Sequence, residues 1–375
     1  MPPSENTAAG PDGVPLFVDL DGTLVATDTS VEASFRLVRK NLIYALRLPL
    51  WLLRGRAYLK RRVSELVALE PELLPYRTEF LAFLRAEHEG GRRLILATAA
   101  DETYARAVAQ YLGCFEAGVG SDGVTDLAGH QKLMKLQAMA GGGPFDYAGD
   151  DLEDLEIFPH ARKAIIANPV PTVRLAAQRF ANVERVFDAD PRRAIDNLLT
   201  LRPERWALNL LVLLPLALAG GLAPGDWLEG LLAVACFCLG AAAIYIYGDL
   251  LHLAERRKLP HGERGPLAEG RVAVQRAGQA IPLLAVPAFL LAAWLSGAFF
   301  LSLATTFAVA FLATQDWIRL PRVVVSMTLS LLRVAAGIAL LPALPPLWIL
   351  IVSAVAGLAA GAAAEFFIRS KVGYV

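Results

Sequence analysis

The chain has 375 residues, 55% of them hydrophobic, and its 36 Lys and Arg residues balance its 36 Asp and Glu residues. A mean hydropathy of +0.45 is too high for an ordinary soluble protein, so part of the chain is expected to lie in a membrane. Three cysteines and five scattered histidines show no spacing for disulfides or structural zinc, and no nucleic-acid partner is expected.

The composition divides the chain into four predicted segments. Residues 1–12 are polar and lack the basic and apolar segments of a secretory signal, so they are predicted to be a disordered tail. Residues 13–190 alternate short apolar runs with helical stretches, as a soluble α/β domain does. Residues 191–205 are a predicted linker, and charges nearly vanish over the membrane domain predicted at 206–375.

Two carboxylates follow the first predicted strand, in the segment LFVDLDGTL (Leu16–Leu24). Asp19 and Asp21 leave the same strand end, before a turn opened by Gly22, and are close enough for a divalent cation to bridge them. In this position Asp19 could attack a phosphorus atom to form an aspartyl-phosphate. Asp21 could protonate the leaving oxygen and then activate water.

Residues 30–78 are predicted to form a small helical cap over this site. The apolar stretch LIYALRLPLWLL is too short to cross a bilayer, and Pro49 is expected to prevent one uninterrupted helix. The stretch is surrounded by Arg36, Arg39, Lys40, Arg47, Arg54, Arg56, Lys60, Arg61 and Arg62. This pattern favours contact with an anionic membrane surface or with the membrane domain; the alternative is a hairpin buried against the domain core.

Two later segments end at the same predicted sheet edge. LILAT (Leu94–Thr98) is a strand that ends in a threonine, and YAGDDLED (Tyr147–Asp154) is a strand followed by several carboxylates. Together with DLDGT, these segments resemble motifs I, II and IV of the haloacid dehalogenase (HAD) superfamily of phosphatases. The resemblance implies a Rossmann-like parallel sheet whose carboxyl edge carries the site.

The same resemblance implies Mg²⁺ as the cofactor. Its ligands would come from Asp19, Asp21 and Asp150, with Asp154 in support, and the hydroxyl and N–H of Thr98 would hold a phosphoryl oxygen.

The third HAD motif departs from the usual pattern. A lysine normally precedes a glycine at a helix start, but in TDLAGHQKLMK (Thr125–Lys135) that position is Ala128. The lysine offsets negative charge around the aspartate and phosphate, so its loss would weaken transition-state stabilisation. Lys132 lies one helical turn further on, on the same face. Lys132 is either an inward-facing substitute or a solvated surface lysine.

Beyond position 205, about six apolar runs are long enough to cross a bilayer as helices. They are drawn at residues 206–223, 227–250, 275–296, 299–318, 323–342 and 346–368. The alternative, a set of buried helices in a soluble core, is disfavoured because such helices seldom run this long without charge.

The connections between the runs alternate in charge. Those near Pro224, Gly297 and Pro345 carry no Lys or Arg. The others are basic, through Arg202 and Arg205, the 254–276 loop, Arg319 and Arg322, and Arg369 and Lys371. The positive-inside rule predicts a multi-pass protein of the cytoplasmic (inner) membrane, with the soluble domain and both termini in the cytoplasm.

Three membrane-domain segments carry a second resemblance: LRPERWALNLLVLLPLALA (201–219), YIYGDLLHLAERRK (245–258) and SLLRVAAG (330–337). They resemble the UbiA superfamily of intramembrane prenyltransferases. The whole chain is similar to bacterial HAD–UbiA fusions related to decaprenyl-phosphate phosphoribosyltransferase. In that family a polyprenyl phosphate or diphosphate is held by Mg²⁺ on two aspartate-rich motifs. About six helices are predicted where the family has about nine, so the others are expected to be missing or supplied by another chain in a homo- or hetero-oligomer.

The aspartate motifs of that family are largely replaced. The first falls on Gly248, Asp249, His252 and Arg256, and the aspartate of the second falls on Arg322. One carboxylate beside arginines serves Mg²⁺ poorly, so prenyl transfer by the usual route is not expected.

Several residues remain candidates for binding a lipid phosphate: Asp249, Arg256, Arg257, Arg322, Arg333 and Asn209. The arginines at the cytoplasmic edge could hold the phosphate without a metal, or they could serve only to set the topology. Arg333 lies within a predicted membrane helix, where a charge is costly unless it faces a partner or a polar cavity.

The predicted function is a membrane-anchored, Mg²⁺-dependent HAD-type phosphatase. Its substrate would be a phosphorylated, polyprenyl-linked molecule at the cytoplasmic leaflet, because four HAD carboxylates remain against one in the UbiA motifs. Two alternatives stay open: a prenyl or phosphoribosyl transferase of the UbiA type with atypical ligands, and a non-catalytic assembly subunit.

Overall fold

The computed structural model describes residues 13–169, 171–177, 179–180, 182–187, 193–220, 223–261, 263–315 and 321–371. The predicted tail at 1–12 lies outside the described residues, as do the first two residues of the predicted linker. The chain forms two compact units, Met1–Asp196 with Leu250–Gln275, and Asn197–Asp249 with Arg276–Val375. The sequence predicted one boundary near position 205, whereas the charged loop Leu250–Gln275 folds with the first unit.

A parallel sheet forms the centre of the first unit, as predicted, and it has six strands. Its strands are β1 (Leu16–Val18), β2 (Leu94–Asp101), β3 (Ala117–Ser121), β4 (Asp146–Gly149), β5 (Ala164–Ala167) and β6 (Val183–Phe187). The strand order is β3-β2-β1-β4-β5-β6, so β1 pairs with β2 on one side and β4 on the other. The strand order reverses at the β1/β4 boundary, which is where α/β sheets open a ligand crevice at their carboxyl edge.

The inner strands β1 and β5 are apolar and fully buried, whereas the edge strand β6 exposes Glu184 and Arg185. Leu16 and Val18 belong to one hydrophobic cluster and Phe17 to the other, because successive side chains of a strand point to opposite faces. The helices of the first unit before the linker are α1 (Thr29–Lys40), α2 (Ile43–Leu52), α3 (Arg56–Leu66), α4 (Thr78–Glu89), α5 (Glu102–Leu112), α6 (Gly129–Met139) and α7 (Pro171–Ala177). Helix α8 (Arg193–Thr200) contains the boundary between the units, at Asp196 and Asn197.

The predicted cap interval contains helices α1, α2 and α3. Helix α2 runs through Pro49, and the chain turns instead at Gly55, whose φ of +114° favours glycine. No residue of α2 is fully buried. Tyr44, Leu48 and Trp51 pack against the cap core at helical spacing, while the other side of α2 leaves leucines exposed.

The remaining helices are α9 (Leu214–Ala219), α10 (Pro224–Leu251), α11 (Leu253–Arg257), α12 (Gly265–Ala268), α13 (Val274–Leu295), α14 (Gly297–Ala313), α15 (Arg322–Ile338) and α16 (Leu347–Lys371). Helices α11 and α12 lie in the loop Leu250–Gln275 of the first unit.

Among the described residues, three helices are long and apolar enough to cross a membrane: α10, α13 and the Leu347–Phe366 part of α16. The first predicted span is instead a 3-10 segment, Pro203–Leu213, followed by the short α9, since prolines and Gly220 interrupt regular helix there. Helices α14 and α15 have 17 residues each, and α15 begins at Arg322 and contains Arg333. The six predicted spans are therefore not all reproduced as full-length helices.

Candidate active site

The first predicted site residue, Asp19, follows the central strand β1. Its N–H donates to the carbonyl of Ala148 in β4, 2.9 Å away, which holds Asp19 at the β1/β4 boundary. The side chain is buried, with only 6% of the residue exposed. The carboxylate therefore lies in the crevice that the strand order predicts.

Lys132, on α6, points inward at this carboxylate and is not a surface lysine. Its Nζ donates to Asp19 Oδ1 at 2.8 Å and to the Tyr147 hydroxyl at 3.0 Å, and lies 3.4 Å from Asp154 Oδ1. The residue is 3% exposed. Burial lowers the pKa of Lys132, but the nearby carboxylates outweigh it and hold the pKa well above its usual value, so the ammonium stays charged.

The loop after β4 supplies two further carboxylates. Asp150 Oδ1 accepts a hydrogen bond from Thr23 Oγ1 at 2.8 Å. Asp154 Oδ2 accepts from the N–H groups of Asp150 and Asp151, at 2.9 and 3.1 Å, while its Oδ1 accepts from the Tyr147 hydroxyl at 2.6 Å. Asp154 therefore holds the loop and the tyrosine in place.

Asp19, Asp150 and Asp154 could together hold a metal ion, since one oxygen from each lies within 4.8 Å of the others. An all-oxygen donor set suits Mg²⁺. Burial raises the pKa of Asp19 to about 6, against the lowering effect of Lys132 and with a further rise from Asp154. Burial and the charge of Asp19 hold the pKa of Asp150 well above its usual value. These buried carboxyls favour a bound cation, so the residues fit Mg²⁺.

Asp21, which was predicted as a metal ligand, is not in this group of three, and its place as a ligand stays a prediction. Its Oδ1 accepts from the Thr29 N–H at 2.9 Å and its Oδ2 from the Thr29 hydroxyl at 3.1 Å. Burial, then the charge of Asp28, raises the pKa of Asp21 well above its usual value. A carboxyl with a raised pKa holds its proton more firmly, which suits a general acid.

Thr98 lies within β2, one strand from Asp19. The residue is buried, and its hydroxyl accepts a hydrogen bond from the Ala100 N–H at 3.0 Å. Thr98 lines the same cavity as Asp19, and its contact with a phosphoryl oxygen stays a prediction.

A cavity of about 370 Å³ opens over these residues. The sheet and the loops at its edge contribute Asp19, Asp21, Thr98, Asp151 and Asp154, and α6 contributes Lys132. The cap contributes Leu52, Arg56, Leu59, Lys60 and Val63. Gln275, the second residue of α13, also lines it. Another cavity of about 480 Å³ lies at the amino edge of the sheet beside Val14, Arg92 and Lys163, and it contains no predicted site residue.

The candidate lipid-phosphate residues are divided between the two units. In the first unit, Arg257 is 4% exposed, and its Nη1 donates to Glu32 Oε1 at 2.9 Å, so this guanidinium does not face a lipid. Arg256 is half-buried on the same short helix, α11. In the second unit, Arg322 is exposed at the start of α15.

Two polar contacts explain the other candidates in the second unit. Arg202 Nη2 donates to both oxygens of the Asp249 carboxylate, at 2.8 and 2.9 Å, so the one surviving carboxylate of the first UbiA-like motif is paired with a guanidinium. Arg333 Nε donates to Asn209 Oδ1 at 2.9 Å, and both residues are buried. Arg333 thus has the polar partner that a buried charge requires.

Sequence reasoning missed several residues that shape the site. The Tyr147 hydroxyl joins Lys132 to Asp154. Asp28 caps the N-terminus of α1. The sequence could have indicated this role, because Asp28 precedes Thr-Ser and lies four residues before the acidic Glu32. Nothing in the local sequence indicates the role of Gln275, because it lies more than 200 residues from Asp28.

A family model described as haloacid dehalogenase-like hydrolase matches residues 16–158. The match covers β1 to the loop after β4 and includes each of the HAD motif residues described above. The first unit thus carries a HAD-family hydrolase domain.

A curated relative, Uncharacterized protein y4nM of Sinorhizobium fredii (strain NBRC 101917 / NGR234), is 33% identical over 268 residues. The alignment covers 70% of this chain and 51% of the relative, so the chain spans about half of that protein's length.

Two solved structures show partial similarity. A protein with unknown function from Bordetella pertussis Tohama I has 20% identity and a TM-score of 0.38, over 46% of this chain and 97% of that one. CbbY from Rhodobacter sphaeroides in complex with phosphate has 18% identity and a TM-score of 0.32, over 46% of this chain and 92% of that one.

Magnesium is expected to stabilise the fold more strongly as the pH rises. In the folded protein the pKa of Asp19 is about 6, above its ordinary value of 3.8. The stability that this shift contributes is therefore complete below pH 3.8 and is lost as the pH rises through about 6. We expect Mg²⁺ to raise the melting temperature at about pH 7.5 and to leave it nearly unchanged at about pH 4.5.

The matched variants for this prediction are Asp150→Asn and Glu89→Gln, the latter an exposed residue at the end of α4. Asp150→Asn should remove most of the Mg²⁺ effect and raise the melting temperature without Mg²⁺, because it removes a buried negative charge. Glu89→Gln should behave as wild type. A Mg²⁺ shift of equal size in Asp150→Asn would show that the ion binds elsewhere.

Proposed function

We propose that the first unit is a Mg²⁺-dependent phosphohydrolase that acts on a phosphomonoester. One observation carries the proposal: the Asp19 carboxylate lies 2.8 Å from a buried lysine ammonium, in a group with Asp150 and Asp154, at the mouth of a cavity. This arrangement suits a carboxylate that attacks phosphorus while the surrounding cations offset the charge of the phosphoryl group.

The proposed reaction has two steps. The Asp19 carboxylate attacks phosphorus, the bond from phosphorus to the ester oxygen breaks, and the Asp21 carboxyl gives its proton to that oxygen. Water then attacks the phosphorus of the aspartyl-phosphate and loses a proton to Asp21, which releases inorganic phosphate and restores Asp19. Lys132 donates to Asp19 throughout, and Thr98 is placed to hold a phosphoryl oxygen.

The residues that would hold Mg²⁺ are Asp19, Asp150 and Asp154, and Asp154 also accepts a hydrogen bond from the Asp150 N–H. When bound there, the ion supplies positive charge beside the phosphoryl oxygens.

We propose further that the substrate is an amphiphile, a phosphorylated polyprenyl-linked molecule at the cytoplasmic face of the inner membrane. Two features support this class. The cap wall of the cavity combines apolar Leu52, Leu59 and Val63 with the exposed cation Arg56. Among the described residues, three helices could also cross a membrane, with basic connections at the ends predicted to face the cytoplasm.

The transferase alternative lacks such support. Asp249 would have to bind Mg²⁺ for chemistry of the UbiA type, but both of its oxygens accept hydrogen bonds from Arg202. The ion pair neutralises the carboxylate that the alternative depends on.

The test uses the full chain reconstituted in lipid nanodiscs with Mg²⁺. Release of inorganic phosphate is measured from a polyprenyl-phospho-sugar phosphate in the bilayer and from water-soluble p-nitrophenyl phosphate. We expect both to be hydrolysed, with kcat/KM higher for the lipid by about 10²-fold, since apolar contacts add binding energy. EDTA should stop both reactions.

The outcomes distinguish a lipid phosphatase from a phosphatase of soluble substrates and from an assembly subunit. Equal kcat/KM for the two substrates would remove the lipid assignment and leave the phosphatase. An absence of phosphate release from every phosphomonoester, together with co-purification of another protein, would favour the assembly subunit.

A further inference from the structure

The loop Leu250–Gln275 joins two helices that could cross a membrane, α10 and α13, yet it folds as part of the hydrolase unit. While its other ion pairs reach Arg39, Glu70 and Asp196, three of its contacts meet the first turn of α1 and the turn that precedes it. That region lies directly beside Asp21 in the sequence and in space.

A buried ion pair is the first of these contacts. Arg257 and Glu32 are each 4% exposed, and Arg257 Nη1 donates to Glu32 Oε1 at 2.9 Å. The Arg257 Nε donates to the Ala268 carbonyl in the same loop, while Glu32 Oε2 accepts from the Thr27 hydroxyl. Breaking a buried pair leaves an uncompensated charge, so this contact fixes the loop to α1 firmly.

A close backbone approach is the second contact. Gly270 has a φ of +73°, and a Cβ at this position would lie 2.6 Å from the Cβ of Ala26 and 3.1 Å from the Cβ of Pro75. Ala26 belongs to the turn between β1 and α1, and its N–H donates to the Pro75 carbonyl. A side chain at position 270 would push the loop off this turn.

A side-chain hydrogen bond is the third contact. Gln275 Nε2 donates to Asp28 Oδ2, and Oδ1 of the same carboxylate accepts from the Val31 N–H at 2.8 Å. Asp28 is the N-cap of α1, so the loop residue holds the residue that starts the helix.

These contacts surround the residue that holds the catalytic acid. Thr29 lies between Asp28 and Glu32, and its N–H and hydroxyl hold the two oxygens of the Asp21 carboxylate at 2.9 and 3.1 Å. A shift of the first turn of α1 would therefore move Asp21. The nucleophile Asp19 is held separately, by Lys132 and the carbonyl of Ala148.

We propose that the loop Leu250–Gln275 is a structural wall of the catalytic pocket, and that Arg257, Gly270 and Gln275 are positioning residues for Asp21. This inference rests on the proposed function, in which Asp21 gives a proton to the leaving oxygen. The loop that connects two membrane-capable helices thus sets the geometry of proton transfer, while the attack by Asp19 does not depend on it.

The leaving group provides the readout. An alkyl phosphate needs a proton on its departing oxygen, whereas p-nitrophenolate leaves without one, so loss of acid positioning slows the first substrate selectively. Asp21→Asn is the reference for this pattern in the full chain. A merely structural defect would reduce the active fraction and lower both rates by the same factor.

Gly270→Ala and Gly265→Ala form a matched pair. Both glycines have a positive φ, +73° and +75°, so the backbone strain of an added Cβ is similar, but among the described residues nothing lies within 4 Å of the Cβ position at Gly265. We expect Gly270→Ala to lower kcat for an alkyl phosphate by about 10²-fold and kcat for p-nitrophenyl phosphate by less than about 3-fold. Gly265→Ala should match wild type in the ratio of the two rates.

Gln275→Ala is a second test variant that is expected to fold normally, because Gln275 is exposed and truncating its side chain leaves no cavity. Gln275→Ala should show the same selective loss at a smaller magnitude, with kcat for the alkyl phosphate lowered by about 10-fold. Arg257→Gln should show the pattern as well. Its control is Lys258→Gln, at the next residue, whose side chain is 59% exposed.

Hydrogen exchange separates this inference from the proposed function. Exchange of the 27–33 backbone amides, which include the Thr29 N–H, should be faster in Gly270→Ala and Gln275→Ala than in wild type or Gly265→Ala. This result can be obtained even if wild type hydrolyses nothing. Unchanged exchange in both variants, equal losses on both substrates, or equal effects of the two glycine variants would overturn the inference.

Discussion

Asp19→Asn is expected to abolish Mg²⁺-dependent phosphate release, with a fall in kcat of at least about 10⁴-fold. An amide has nearly the shape of the carboxylate and can still accept the hydrogen bond from Lys132, which is 2.8 Å away. It lacks the negative oxygen that attacks phosphorus. The loss therefore reports the chemistry at this atom and not the packing around it.

The covalent intermediate gives the sharper measurement. Wild type mixed with a ³²P-labelled substrate and quenched in acid should retain label on the protein, and hydroxylamine should release it, since an aspartyl-phosphate is an acyl phosphate. Asp19→Asn should retain no label. The control Asp122→Asn, at an exposed aspartate of the same unit, should behave as wild type.

The result that contradicts this prediction is equally specific. If freshly purified Asp19→Asn, shown by mass to be free of deamidation, released phosphate at the wild-type rate, the nucleophile would not be Asp19. The carboxylate group would then serve only to bind the ion.

The sheet and its carboxylate edge could be predicted because their signals are local in the sequence. Leu16, Phe17 and Val18 alternate between two cores, and Asp19 follows them directly. Asp150 and Asp154 follow the neighbouring strand in the same way, so parallel pairing alone brings them to one edge.

The direction of a single side chain could not be predicted in this way. Lys132 had two equal interpretations, because helical phase places it on the face of Ala128 but says nothing about how α6 packs. The structure decides through tertiary contact, since Tyr147 and Asp19, far away in sequence, approach the same ammonium.

Long-range contacts and helix ends explain the remaining differences between the sequence-based predictions and the structure. Arg257 and Glu32 are separated by 225 positions, so no local pattern assigns the loop to the hydrolase unit. Hydropathy predicted a span at 206–223 because it sums over a window, whereas Pro203, Pro215 and Gly220 act at single positions to interrupt regular helix.

Lys132→Met is expected to lower kcat by about 10²- to 10⁴-fold and to destabilise the fold by about 3 kcal/mol at neutral pH without Mg²⁺. Methionine fills much of the same volume, so the change removes the charge and leaves little cavity. Asp19 then loses the ammonium that lowers its pKa, and the pKa should rise beyond about 6.

The pH dependence of stability separates this role from that of a surface lysine. If the pKa of Asp19 in the folded variant rises further, the variant loses stability over a wider pH range as the pH increases. The melting temperature of Lys132→Met should therefore approach that of wild type near pH 4 and fall increasingly below it up to about pH 8. Lys135→Met, an exposed position on α6, is the control and should follow wild type throughout. Equal behaviour of the two variants would mean that Lys132 is a solvated lysine; a selective loss at Lys132 would show that its ammonium replaces the one missing at position 128.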